Sequence, residues 1–272
     1  MGPRSRRAHA PGRRGPHGPG PGRAPGRPAS GTGGVRARSL GVVAPLLAGG
    51  ALHALPALAA RGPLRSLRPS LAGRGRPGGV ALTFDDGPDA AGTPAVLAAL
   101  DALGWQATFF LLGRQVRRHP DVARAVVAAG HEVGLHGDVH ANHLVRSPRW
   151  VRRDLAAGCA AVTAVTEVRP RWFRPPYGVL SAGSLHAAAA LGLTPVLWTA
   201  WGRDWEAGPP AAVLATVCRS LDDGGTVLLH DSDCTSRAGS WRSTVAALPL
   251  LAGELDRRGL AVRRLGDHLG AG

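Results

Sequence analysis

Two aspartates stand side by side in Thr83-Phe84-Asp85-Asp86-Gly87-Pro88, where a β-prone run stops at a turn. Adjacent carboxylates repel, so their joint ionisation needs a stabilising partner. A divalent cation does this when one carboxylate ligates it and the other stays free as a base. Because side chains alternate along a strand, the Gly87-Pro88 turn is expected to bring both toward one mouth. Imidazoles follow at His136 and His140, with His143 close behind. A spacing of four brings side chains together on a helical turn or a tight loop. With Asp86 these two compose a two-histidine, one-carboxylate set like that of hydrolytic zinc centres, which leaves a position open for water. Reactive or aromatic groups recur in Arg174-Pro175-Pro176-Tyr177-Gly178, at Trp198, Trp201, Asp204 and Trp205, and at His230-Asp231.

These residues need a frame that brings distant segments to one place. Short β-prone runs at 80–84, 107–112, 132–136, 172–174, 195–200, 226–230 and 261–264 alternate with Ala/Leu-rich helical patterns. Helices are expected over 93–103, with Thr93 as N-cap and Pro94 at the first position, and over 117–129, 150–165, 181–191 and 211–221. Seven strands alternating with helices predict a parallel α/β architecture. In such folds working residues gather at the C-terminal ends of the strands, and that is where the polar clusters fall.

The ordered domain occupies only part of the 272 residues. No Asp or Glu precedes Asp85, and residues 1–84 hold 14 of the 33 basic side chains, all Arg. The formal charge of +15 therefore belongs to a tail, and the remainder is close to neutral, which argues against a nucleic-acid partner. Residues 1–38, built of Arg, Pro, Gly, Ala, Ser and His, are expected to be disordered. Residues 39–60 carry no charged side chain apart from the titratable His53, and read as a signal peptide or a transmembrane anchor. Residues 61–78 are a Gly/Pro/Arg linker and 79–272 the folded domain. Arg stays on the cytoplasmic side by the positive-inside rule, so the domain is exported, either secreted or anchored to the outer face of the cytoplasmic membrane. Three cysteines are too few and too scattered for a disulfide scaffold, and Cys234 is expected to be inert.

Residues 79–268 resemble the polysaccharide deacetylase (NodB-homology) domain of carbohydrate esterase family four. The likeness is carried by TFDDGP at 83–88, RPPYG at 174–178, Asp204-Trp205 and LLHD at 228–231, in order, with the two histidines between. It implies a distorted (β/α) barrel, seven-stranded and monomeric, that removes N-acetyl groups from amino sugars of a cell-wall or related polysaccharide or oligosaccharide. It also implies a divalent metal, zinc first and cobalt, nickel or manganese as alternatives, held by Asp86, His136 and His140. Asp85 would be the general base, oriented by Arg174, and the backbone N–H of Tyr177 an oxyanion donor. His230 would be the general acid, poised by Asp204. Trp205 would wall the site, and Tyr177 and Trp201 would contact substrate. By residue type alone, Trp198, Trp201 and Trp172 could stack on sugar faces or serve as packing in strands.

The histidine segment departs from the family pattern. Gly137 and Ala141 replace the usual hydroxyl residue and proline, and Asp138 is added between the histidines. Asp138 could brace a ligand imidazole in place of the hydroxyl, and His143 could be the second imidazole ligand instead of His140. Other functions stay in view. One is O-acetyl ester hydrolysis, and another is an exported glycan-binding module without chemistry. His136-x-Asp138 with a distant histidine also matches iron-dependent oxygenases, but those use antiparallel jelly rolls and leave TFDDGP unexplained.

Overall fold

The strand that ends in the first of the paired aspartates, β1 (Gly79–Asp85), is buried along its whole length. Successive side chains leave a strand on opposite faces. Val80, Leu82 and Phe84 accordingly join the large apolar layer beneath the helices. Ala81 points the other way, into a small cluster with Phe110, Trp172, Val196 and Leu265. Thr83 and Asp85 share the face of Ala81, so the interior is apolar at one end and polar at the other. β2 (Thr108–Leu111) repeats the pattern, with Phe109 stacked on Phe84 at 5.0 Å in the outer layer and Phe110 inside.

The computed structural model describes residues 52–58 and 68–270, so the tail, most of the apolar segment and residues 61–67 of the expected linker lie outside the described residues. Two short helices, α1 (52–58) and α2 (Pro69–Ala72), come first. After β1 follow α3 (Gly92–Ala102), β2, α4 (Gly113–Arg118), α5 (Pro120–Ala128), β3 (Glu132–Leu135), α6 (Pro148–Thr166), β4 (Trp172–Phe173), α7 (Ala182–Ala190), β5 (Thr194–Pro195) and β6 (Ala200–Trp201). Then come α8 (Pro210–Cys218), β7 (Thr226–His230), α9 (Trp241–Arg258), β8 (Ala261–Arg263) and α10 (Leu265–Leu269). The strand order is β5-β4-β3-β2-β1-β7-β6, with β8 paired to the start of β1, and every pairing is parallel. Among the described residues no helix is long and apolar enough to cross a membrane.

The expected strand over 195–200 is two short strands, which makes eight among the described residues. The N–H groups of Thr194 and Val196 bond to Arg171 and Phe173 on the β4 side, whereas those of Thr199 and Gly202 bond to Thr226 and Leu228 on the β7 side. Between them Leu197 pairs outside the sheet: its N–H donates to Leu71, and its carbonyl accepts from Arg174. This one segment bridges the two edges and curls the sheet into the distorted barrel that was expected. A parallel sheet of this kind excludes the jelly roll of the oxygenase reading.

Two helix expectations are corrected, and one further helix lay outside them. The pattern at 117–129 is broken at His119-Pro120 into α4 and α5, because proline lacks an N–H and disfavours helical geometry in the residue before it. Thr93 lies inside the first turn of α3. The N-cap position is Ala91, which offers no side-chain cap, and the Asp89 carboxylate just before it accepts from the N–H groups of Ala91 and Gly92. Helix α9 was not foreseen, because Pro249 sits in its interior.

Candidate active site and metal centre

Parallel registry assembles the site. Asp85 pairs with His230 across β1 and β7, so the two lie side by side where both strands end. Leu135 pairs with Phe173 across β3 and β4, which makes the next residues, His136 and Arg174, neighbours. The backbone carbonyl of Arg174 accepts from His136 Nδ1 at 2.8 Å. A carbonyl can only accept, so Nδ1 carries the proton and Nε2 is left to face Asp86.

Both aspartates reach the same cavity, but not through the Gly87-Pro88 turn. Asp86 itself leaves extended geometry, with φ at 80°, a region that Asp tolerates better than most residues. Its side chain therefore escapes the alternation that would point it away from Asp85.

His136 Nε2 lies 3.4 Å from Asp86 Oδ1, and His140 Nε2 lies 3.5 Å from the same oxygen. The donor atoms of these three residues all fall within 4.8 Å of one another. Two ligand atoms at zinc-like bond lengths on a tetrahedron stand roughly 3.3 Å apart, so the set fits such a cation. Asp86 Oδ1 is buried and has no hydrogen-bond partner, whereas Oδ2 accepts from Thr235 Oγ1 at 2.5 Å. An orphaned buried carboxylate oxygen between two imidazoles is what a metal site requires. Burial opposes the ionisation of Asp86, but His136, His230 and His140 hold its carboxyl well below the usual carboxylate range. Burial pushes His140 down to about 4, so it is a neutral donor at ordinary pH. At His136 burial works against the proton, yet Asp85 and Asp86 win and raise its pKa. A cation would compete with that proton for the same lone pair.

Across the cavity two carboxylates are held in place. Arg174, fully buried, donates from Nη1 to Asp85 Oδ1 and Thr83 Oγ1, both at 2.8 Å, and from Nη2 to the Leu197 carbonyl at 2.9 Å. Its guanidinium rests on the Phe110 ring, 4.1 Å from the centroid. Asp204 sits on a single helical turn after β6 and accepts from His230 Nδ1 at 2.9 Å. The His230 N–H and Thr244 Oγ1 each donate to it as well, at 2.6 Å. Burial opposes protonation of His230, but the Asp204 carboxylate pushes its pKa up to about 10, so it is an imidazolium at neutral pH.

The cavity between these groups measures about 320 Å³. Trp198, Trp201 and Trp205 form one wall, with adjacent ring centroids 6.1 and 4.9 Å apart, and Trp205 meets the edge of His230. Tyr177, in left-handed geometry (φ 60°), is exposed at the rim and packs on His140 with centroids 4.4 Å apart. Trp172 does not belong here. It is buried at the apolar end of the interior, where its indole N–H donates to Glu132.

Two further expectations are overturned. Asp138 contacts no ligand imidazole, because its carboxylate is taken by Arg117 at 2.7 Å. His143 is not in the metal set. It is buried beneath the loop, with Nδ1 3.2 Å from Ser184 Oγ and Nε2 3.7 Å from Asp154. Cys234 is exposed, and its thiol lies 3.5 Å from the Asp86 carbonyl. Residues missed in the sequence include Thr235, in the loop after β7, and Thr244, on the buried face of the unforeseen α9. Asp154 was also missed, although a carboxylate among Val151, Leu155 and Gly158, on the buried face of an amphipathic helix, was a legible anomaly.

The family described as "Polysaccharide deacetylase" matches residues 72–196. That stretch holds the aspartate pair, the histidines and Arg174. Asp204 and His230 lie beyond it. A chitooligosaccharide deacetylase of Bradyrhizobium is 36% identical over 194 residues, covering 68% of this chain and 88% of that protein. A peptidoglycan-N-acetylglucosamine deacetylase of Bacillus cereus is 35% identical over 184 residues, covering 66% and 83%. Among solved structures, a family-four carbohydrate esterase pseudoenzyme from Bacillus anthracis superposes with a TM-score of 0.66 at 29% identity, covering 75% of this chain and 70% of that one. The motifs, the barrel and these matches agree, and the chain belongs to the polysaccharide deacetylase family.

Proposed function

We propose that this protein is a metal-dependent hydrolase that removes N-acetyl groups from N-acetylglucosamine units of a wall-type or chitin-type glycan. One observation supports it above the rest. A donor set of Asp86, His136 and His140 with an orphaned Oδ1 faces the same cavity as a base held by Arg174 and an imidazolium held by Asp204.

Zinc, or cobalt, nickel or manganese in its place, suits these donors, and when bound supplies Lewis acidity and acidifies water. The protein's own groups do the rest. Asp85, paired with Arg174 and aimed by it, takes the proton of the attacking water. The Tyr177 N–H donates to the oxygen of the tetrahedral centre, a contribution of roughly 3–4 kcal/mol per donor in comparable sites. His230 gives its proton to the nitrogen as the carbon–nitrogen bond breaks, leaving acetate and a free amine. Trp205 and Trp201 face the sugar ring.

The Asp204–His230 pair favours an amide substrate over an O-acetyl ester, because an amine leaves only if protonated, whereas an alkoxide is a far better leaving group. Likeness to a pseudoenzyme is a reminder that the barrel alone does not make a catalyst. Asp85, Asp86, His136, His140 and His230 line one cavity, which favours chemistry over glycan binding alone. The substrate lies outside the cytoplasm, in keeping with export through the apolar segment at 39–60.

The test is metal analysis of the purified protein, followed by acetate release from acetylated chitooligosaccharide and from peptidoglycan. Stoichiometric metal and chelator-sensitive release of acetate are expected. Acetate release that survives both chelation and Asp86→Ala would defeat the reading.

A further inference from the structure

The two imidazoles are fixed in different ways. His136 is anchored through Nδ1 on the Arg174 carbonyl, whereas Nδ1 of His140 is buried without a hydrogen-bond partner. Metal-ligating histidines usually donate that second N–H to something that fixes the ring. The direction of His140 must therefore come from its loop, apart from the Tyr177 ring beside it.

That loop is held from below by α6. Asp154, 6% exposed, accepts the N–H of Asp138 at 3.1 Å and of Val139 at 3.2 Å. One carboxylate thus fixes two consecutive peptide planes that lead directly into His140. Gly137, at φ 104°, leaves room for it: a Cβ there would lie 2.9 Å from Asp154 Oδ2. Gly158, one turn along α6, lets the helix approach, since a Cβ would meet the Gly137 carbonyl at 2.8 Å. On the other edge, the Gly113 N–H donates to the Gly137 carbonyl at 3.0 Å and the Arg114 N–H to that of Asp138 at 2.9 Å.

We propose that Asp154 is a positioning residue for the metal centre, acting through the backbone of residues 138 and 139 to hold His140 against Asp86. This rests on His140 being a ligand. The carboxylate from α6 does the work that a hydroxyl side chain beside His136 would otherwise do, and Gly137 is the space it needs.

The experiment measures zinc affinity by competition with a chromophoric chelator. It uses the full chain and its Asp154→Ala and Asp154→Asn variants, each alone and combined with His140→Ala. Alanine is expected to weaken zinc binding about 10–100-fold. Asparagine should fall between, because its single carbonyl oxygen can serve only one of the two N–H groups. In the His140→Ala background both changes should alter affinity less than about twofold, since the ring they orient is gone. Leu155→Ala, next to Asp154 on α6, should lower Tm without moving zinc affinity. Wild-type affinity in Asp154→Asn and Asp154→Ala would overturn the proposal, and so would an equal loss with and without His140. If the alanine variant does not fold, the asparagine pair decides alone. Failure of the wild type to bind zinc, or unchanged affinity in His140→Ala, would instead remove the centre itself, and the proposal with it.

Discussion

Arg174 lies wholly inside the mouth of the barrel and grips Asp85, with Nη1 2.8 Å from Oδ1 and both side chains shut off from solvent. Removing one member of such a pair leaves the other charge buried and uncompensated. Arg174→Met should therefore destabilise the fold by about 3–5 kcal/mol in urea unfolding, and acetate release should collapse. Arg174→Lys should recover part of the stability but little activity, because an ammonium cannot serve Thr83, Asp85 and the Leu197 carbonyl at once. Stability unchanged by the methionine variant would show that Asp85 does not depend on this guanidinium.

The Asp204–His230 pair sets a pH limit. The pKa of His230 is raised from its usual 6.5 to about 10, so the proton is present through neutral pH and is lost as pH rises through about 10. The high-pH limb of kcat/KM should fall there, and Asp204→Asn should move it down by about 1–3 units. The stability argument has the same sign. A raised folded-state pKa contributes stability fully below 6.5 and loses it as pH climbs to about 10. Wild-type stability should therefore decline over that window, and the Asp204→Asn curve should be flatter. A limb that stays put in the variant would remove His230 from the acid role.

Loss of metal should be visible apart from catalysis. A ligand that binds only the folded state stabilises it by about 4 kcal/mol at a thousandfold excess over Kd. Chelation should thus lower the Tm of the wild type, and Asp86→Ala and His136→Ala, which lack a donor, should show no such drop while keeping the native circular dichroism. Zinc affinity should also weaken as pH falls, since His136 holds its proton more tightly than a free imidazole. Equal chelator sensitivity of Asp86→Ala and wild type would place any metal elsewhere.

Thr235 offers a narrower test. Its hydroxyl donates to Asp86 Oδ2, leaving Oδ1 as the oxygen between the imidazoles. Thr235→Val removes the donor with little change in shape, and zinc affinity should fall roughly tenfold, whereas Thr235→Ser should stay near wild type. Equal affinity in all three proteins would mean that the loop after β7 contributes nothing to the carboxylate's aim.

Much of this protein is determined by local sequence. TFDDGP, the histidine pair, RPPYG and LLHD each sit where a β-prone run stops. A strand's period of two and a turn's Gly and Pro are short-range signals, so the barrel and the residues at its mouth could be read along the chain. Contacts between segments far apart could not. Residues 194–202 become two strands only because Arg174 and Leu71 claim both backbone groups of Leu197. Asp138 turns away to Arg117, His143 sinks beneath the loop, and Asp154 takes the bracing role from sixteen residues on. Which helix lies on which loop depends on how close two backbones can come, as Gly158 and Gly137 allow here. Nothing in the periodicity of either segment carries that information, so it was decided only when the chain packed.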